Sequence, residues 1–205
     1  ARAEAGYPVL QPILSSTEAG KQLLVYEVVD APSVFDVAWQ IETGDTDALP
    51  ALTQAQNDAD DRLRDIYTAT LQDQAAEDAA RAPVHQLFYH RIAGGRLSRF
   101  YGAMPGETGE DVTITLPTGD HAMQRVRRAQ WTINGQRYAE TLDDLITRAL
   151  DLLNPAQAGP SIIGHGDAHN GNLFLRQSLD RPWLMYFDPA FAGRHHPLLD
   201  LTKPL

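Results

Sequence analysis

The chain has no cysteine. That excludes a disulfide framework and any metal site built on thiolates. No stretch approaches the roughly 18 apolar residues of a membrane-spanning helix, so no membrane partner is expected. Positive charge is scarce: 17 Lys and Arg stand against 27 Asp and Glu, a net charge of −10. Lysine is the rarer cation, present as Lys21 and Lys203. Binding to a phosphate backbone needs clustered cations, so no nucleic-acid partner is expected. Residues 1–6 show neither the basic nor the apolar part of a secretory signal. Both ends read as interior points of a longer chain, because the sequence does not start with Met and Asp200-Leu-Thr-Lys-Pro-Leu205 stops abruptly in an apolar context.

What is present is ordinary. The 205 residues are 43% hydrophobic and 21% charged, which places the chain among globular proteins. That length gives about one domain, with a core that needs no covalent staples.

Val9 to Leu14 is interrupted by Pro12 and reads as an edge strand at best. Gln22 to Val29, rich in β-branched and aromatic residues, reads as a strand, and the turn residues between the two make a hairpin. Ser33 is placed to cap a helix over Val34 to Gln40. Leu52, Ala55, Ala59, Leu63, Ile66 and Tyr67 recur at helical steps. They predict one long amphipathic helix from Ala51 to Ala80, with an acidic, solvated outer face. Pro83 breaks it, and a second helix is expected from Val84 to Tyr101, weakened at Gly94-Gly95. The stretch 104–138 holds the alternating Asp111 to Leu116 and the hairpin signal Asn134-Gly135, and reads as a small β insertion. Thr141 to Asp144 resembles a capping box that opens a helix to Leu153. Asn172 to Leu175 and Trp183 to Phe187 read as the two strands of a hairpin. A helical middle flanked by β pieces predicts an α+β fold.

The chemistry concentrates in His165-Gly166-Asp167-Ala168-His169-Asn170-Gly171-Asn172. Asp188 follows at the end of the second hairpin strand, in Phe187-Asp188-Pro189-Ala190-Phe191-Ala192-Gly193. The spacing His165-x-Asp167-x-x-x-x-Asn172 is that of the protein-kinase catalytic loop. A phosphoryl acceptor needs a carboxylate to orient its hydroxyl and take the proton, and Asp167 is placed for that. A metal bridging nucleotide phosphates needs hard oxygen ligands, which Asn172 and Asp188 supply.

Taken together, His165-Gly166-Asp167-x-His169-x-x-Asn172 and Asp188-Pro189-x-x-x-Gly193 resemble the aminoglycoside phosphotransferase-like family, whose fold is protein-kinase-like. Asp200, in Pro197-Leu198-Leu199-Asp200-Leu201, resembles the family's later Asp that steadies the catalytic loop. Leu23 to Val29 looks like the strand and hinge that join the two lobes. The resemblance implies a mainly helical large lobe over 31–205, preceded over 1–30 by the end of a small lobe. It implies Asp167 as base, Asn172 and Asp188 as Mg²⁺ ligands, and Glu27 and Val29 as backbone partners of the nucleotide base. His165, His169 and Asp200 would support the loop, His169 standing near the phosphates or the loop backbone. The implied donor is ATP or GTP. The implied acceptor is a hydroxyl of a small molecule, which the acidic balance tilts toward a cationic or polyhydroxylated one. The implied compartment is cytoplasmic.

The sequence departs from the family in one respect. No glycine-rich phosphate loop is present, and neither lysine follows a strand pattern suited to clamp phosphates. Most of the small lobe is thus expected to be absent, and the chain alone to turn over little. Two other functions stay open on the sequence. One is a metal-dependent hydrolase using His165, Asp167, His169 and Asp188. The other is a kinase-like binding module without turnover.

Overall fold

A computed structural model describes residues 5–93, 95–178 and 181–202. Gly94 and Lys203 lie outside the described residues. In chain order the elements begin with β1 (Leu14–Ser16), β2 (Leu23–Val25), α1 (Val34–Glu42), α2 (Leu49–Thr70) and β3 (Gln72–Gln74). Next come α3 (Ala76–Ala80), α4 (Pro83–Ile92), α5 (Arg96–Tyr101), β4 (Thr113–Leu116), β5 (Gly119–Ala122) and α6 (Met123–Arg127). Then follow β6 (Thr132–Ile133), β7 (Gln136–Arg137), α7 (Leu142–Leu152) and β8 (Gly159–Gly164). A single 3-10 turn, Asn170–Asn172, leads to β9 (Leu173–Gln177), β10 (Pro182–Tyr186), β11 (Gly193–His195) and α8 (Pro197–Thr202). Helices mix with small antiparallel sheets, so the fold is α+β.

The chain forms two compact units, and the first joins its residues up to Gln74 to those from Ala158 onward. Its core starts from the apolar stripe of α2, where Ala55, Ala59 and Ile66 are buried at helical spacing. Two alanines in that stripe let the β9–β10 hairpin pack close. The hairpin register sets Leu173 opposite Tyr186 and Leu175 opposite Leu184, and all four are buried. Val34 and Val37 of α1 and the ring of Tyr7 complete the cluster. Helix α1 starts where expected, because the Asp36 N–H donates to Ser33 Oγ at 3.1 Å.

Residues 8–10 run alongside the end of β10. Leu10 N–H donates to the Tyr186 carbonyl at 2.8 Å, and Tyr186 N–H donates to the Pro8 carbonyl at 2.9 Å. The β1–β2 hairpin follows. Strand β8 is the centre of a three-stranded sheet in the order β11-β8-β3. Its register sets Gly193 opposite Gly164, so the residues after β8 and those before β11 meet at one sheet end.

The second unit, Ala75–Gln157, contains the stretch 104–138. Asn134 and Gly135 turn with φ of 51° and 80°, the left-handed pair a tight hairpin needs. Thr141 and Asp144 form the expected reciprocal capping box on α7. The neighbouring Asp143 pairs with the buried guanidinium of Arg127 at 2.9 Å.

Three expectations are corrected. The long helix ends at Thr70, not near Ala80, because Leu71 turns extended and Gln72–Gln74 pair with Gly159–Ser161 of β8. Non-local strand pairing overrides helical composition there. The second helix is split, with α5 opening after Gly95 at φ +93°. The strand expected over Gln22 to Val29 is only Leu23–Val25, the length that its short partner β1 can pair.

Leu184 is 3% exposed and meets the α2 stripe. Leu184→Ala is expected to cost about 2–5 kcal/mol and to lower the urea midpoint of unfolding accordingly. An unchanged midpoint would show that the α2–hairpin contact is not what holds this unit.

Candidate active site

The loop after β8 is anchored before it presents any chemistry. Gly166 takes φ +75°, and a Cβ there would lie 2.5 Å from the Phe191 carbonyl oxygen, so no other residue fits. The turn aims the Gly166 N–H at Asp200 Oδ1, 2.6 Å away on α8. Asp200 is 5% exposed and takes two further donors, Nε2–H of His195 at 3.2 Å and the hydroxyl of Tyr67. Gly164 makes room for this group, since a Cβ there would lie 2.5 Å from His195 Nε2 and 2.7 Å from Asp200 Cγ.

Burial on its own would raise the pKa of Asp200. Hydrogen bonds from His195, Tyr67 and Gly166, with the His195 charge, outweigh it and hold the carboxyl below its ordinary value. Burial, then the Asp200 charge, pushes the phenols of Tyr7, Tyr67 and Tyr186 well above the ordinary tyrosine range. Tyr67 is thus fixed as a donor to Asp200. Tyr7 donates to the Ile163 carbonyl on β8 at 3.1 Å.

Two more hydrogen bonds join the loop to the residue after β10, and a third closes the loop on itself. The His165 Nε2–H donates to the Phe187 carbonyl at 3.0 Å. Phe187 N–H donates to the Asn172 carbonyl at 3.1 Å. The Asn172 side-chain NH₂ donates to the Asp167 carbonyl at 2.9 Å. That last bond orients the amide, so Oδ1 is the atom Asn172 has left to present. Phe174 and Phe187 stack with centroids 4.4 Å apart and fix the approach to Asp188.

Asp188 itself has φ +48°, a left-handed conformation that costs a non-glycine residue about 1–2 kcal/mol. Strain of this kind persists where surrounding contacts over-determine it, and it gathers at functional sites. Asp188 lines a cleft of about 610 Å³ with Leu10, Leu24, Tyr26, Phe187, Pro189 and Ala190. An adjoining cleft of about 620 Å³ shares Leu10, Leu24, Tyr26 and Pro189 and reaches Arg194. Either volume suits a cofactor or nucleotide-sized ligand. A shallower groove of about 280 Å³ touches the loop at Asn170 and is otherwise lined by Val34, Ala38, Leu52, Thr53, Gln56 and Asn57.

Hydrogen bonds thus tie the loop that carries His165, Asp167 and Asn172 to Asp200 on one side and to Phe187, the neighbour of Asp188, on the other. His169 sits on the same loop, its Nε2 3.9 Å from Asp167 Oδ1. Glu27 is exposed, Val29 half-buried, and both follow the end of β2. The residue of that segment lining the cleft is Tyr26, just past the end of β2. Tyr67 and His195 were not legible as site residues, since one shares the core stripe of α2 and the other adjoins His196, and two adjacent histidines point different ways. Lys21 lies in the β1–β2 turn, paired with Glu18 at 2.7 Å.

Asn172 Oδ1 and an Asp188 carboxylate are hard oxygen donors, which fits a magnesium ion that takes its other ligands from phosphates and water. Among the described residues no group of three or more His, Cys, Asp and Glu is placed to hold a metal ion by itself. The commitment of His165 Nε2 to a backbone carbonyl removes that nitrogen from any such cluster. The chain matches no protein-family model, no curated protein and no solved structure.

Two predictions concern stability. The folded pKa of Asp200 is depressed, so its contribution is complete above the unfolded value near 3.8 and is lost as pH falls through the folded value. Acid melts should show the melting temperature falling below about pH 4, with a shallower slope in Asp200→Asn. An equal slope in the variant would remove Asp200 as the acid-sensitive anchor. Asp188→Gly relieves the strain at φ +48°, so its melting temperature should stay level or rise. A clear fall would mean that the Asp188 side chain serves stability.

Proposed function

We propose that the protein transfers the terminal phosphoryl group of ATP or GTP to a hydroxyl of a small molecule. The observation that carries this reading is the joined pair of segments. One loop presents Asp167 and the Asn172 amide oxygen, and hydrogen bonds through Phe187 hold the strained Asp188 on the wall of a nucleotide-sized cleft. That is a base beside two hard oxygen donors, the set that phosphoryl transfer requires. On this reading the chain corresponds to a protein-kinase-like large lobe of the aminoglycoside phosphotransferase-like kind.

Asp167 would accept a hydrogen bond from the acceptor hydroxyl and turn its lone pair toward the γ-phosphorus. The hydroxyl oxygen forms the new bond to phosphorus as the bond from phosphorus to the β–γ bridging oxygen breaks. The bonding electron pair leaves with the nucleoside diphosphate, and the hydroxyl proton passes to Asp167. Asn172 and Asp188 would hold a magnesium ion, whose chemistry when bound is to neutralise charge on the phosphates. Tyr26 and Leu24 offer an apolar wall against which a purine can pack.

The groove at Asn170 carries amides and a hydroxyl but no carboxylate. Such a lining matches the hydroxyls of a polyhydroxylated acceptor better than a polycation, and of the two acceptor classes the former is favoured. No helix among the described residues is long and apolar enough to cross a membrane. The cytoplasm, where the nucleotide pool is, is the proposed compartment.

Calorimetry and turnover of the full-length protein with Mg·ATP or Mg·GTP test this directly. Asp167→Ala should lower kcat by about 10²–10⁴-fold, the range for general base catalysis, with nucleotide affinity within about twofold. Asp188→Ala should abolish the metal-dependent part of nucleotide binding. Full activity in both variants, or no nucleotide binding by the wild type, overturns the reading.

A further inference from the structure

The loop carries one more side chain whose orientation is set by a hydrogen bond. His169 stands between Asp167 and Asn172, with 47% of its side chain exposed. Its Nδ1 accepts the Gly171 N–H at 3.1 Å and so caps the Asn170–Asn172 turn. A ring nitrogen that accepts a hydrogen bond carries no proton, so the neutral imidazole has its proton on Nε2. Nε2 is 3.9 Å from Asp167 Oδ1. That is too far for a hydrogen bond between them, yet close enough for both to reach one bound group.

Gly171 shows that this seat is specific. Its φ is not in the left-handed range, so its backbone does not demand glycine. A Cβ at 171 would instead lie 2.9 Å from His169 Cε1 and 3.1 Å from Nδ1. An alanine at 171 would therefore displace the imidazole from this position.

We propose that His169 is a catalytic donor, whose Nε2–H, seated by Gly171 beside Asp167, hydrogen-bonds an oxygen of the phosphoryl group in transfer. This rests on the phosphotransferase reading. The acceptor oxygen is an unsuitable partner, because a donor there would draw on the lone pair that must attack phosphorus. The phosphoryl oxygens carry the spread negative charge of the transition state, and a donor already in place needs no reorganisation to meet it. Removing one preorganised donor of this kind costs about 10²–10³-fold in kcat.

The experiment compares His169→Asn, His169→Ala, Gly171→Ala and the His169→Asn/Gly171→Ala double variant in the full-length protein. The probe is Mg·ATP, with water as the acceptor when no other is supplied. Asparagine keeps an oxygen that can cap the Gly171 N–H but places no donor where Nε2 stood. His169→Asn is therefore expected to lose about 10²-fold in kcat, with Mg·ATP affinity within about twofold. Gly171→Ala should lose kcat in the same direction, and the double variant should be no worse than His169→Asn alone, since both remove one interaction.

Wild-type turnover by His169→Asn, with Asp167→Ala inactive, overturns this proposal alone and leaves His169 as a cap. Gly171→Ala at the wild-type rate, or a double variant whose losses multiply, overturns the seat. Equal hydrolysis by wild type and Asp167→Ala fells the phosphotransferase reading and this proposal with it. A readout independent of activity is the imidazole ¹⁵N spectrum. It should place the proton of neutral His169 on Nε2, and a proton on Nδ1 overturns the proposal.

Discussion

The carboxylate of Asp200 anchors the loop after β8. It is buried on a short helix near the end of the chain, yet it receives donors from three other places. Gly166 brings the loop after β8, Tyr67 brings α2, and His195 brings β11. A charge buried without partners is costly, so these donors are needed if the residue is to stay ionised. Because each comes from a separate element, stabilising the charge also fixes where the elements meet. The two glycines at 164 and 166 follow from the same constraint, because a side chain at either would occupy space taken by Asp200, His195 or the Phe191 backbone. The spacing between Asp167 and Asn172 has meaning only once this anchor has set the start of the loop.

Much of this was legible in the sequence, and what was not has an identifiable cause. The loop His165 to Asn172 and the distant Asp188 stand out because polar residues crowd there between apolar strands. The β9–β10 hairpin is written in alternation, with Leu173, Leu175, Leu184 and Tyr186 inward. The caps at Ser33 and Thr141 are local, so local reading finds them. The end of α2 is different. Ala, Gln and Asp continue past Thr70 in a composition any helix accepts, and the chain leaves the helix because Gln72–Gln74 find partners in β8, 85 or more residues downstream. No periodicity carries that information. Tyr67 and His195 were missed for a related reason, since their value lies in a third residue that only the folded chain brings near.

The donors and acceptors of the loop divide by burial. The committed ones are inward: Asn172 NH₂, the His165 Nε2–H and the Asp200 oxygens all spend themselves on the protein. The more exposed side chains of the loop are those of Asp167, 18% exposed, and His169, 47% exposed. In this division the buried bonds set the spacing of the more exposed groups. Preorganisation of that kind is where most enzymes find their electrostatic advantage, because nothing needs to reorient as charge develops.

Asp188, on the wall of a cleft, fits the same logic. A left-handed aspartate would relax if it could, and glycine would hold that conformation at no cost. The chain keeps the carboxylate and holds it with the Phe174–Phe187 stack and the bond from Phe187 N–H to Asn172. The residue before it is thus tied to Asn172, which on the proposed reading would share a magnesium ion with Asp188. Stability alone gives no reason to build a strained charge into a cleft wall next to apolar Leu24 and Leu10. On the proposed reading the opposite charge arrives with a nucleotide and its divalent cation.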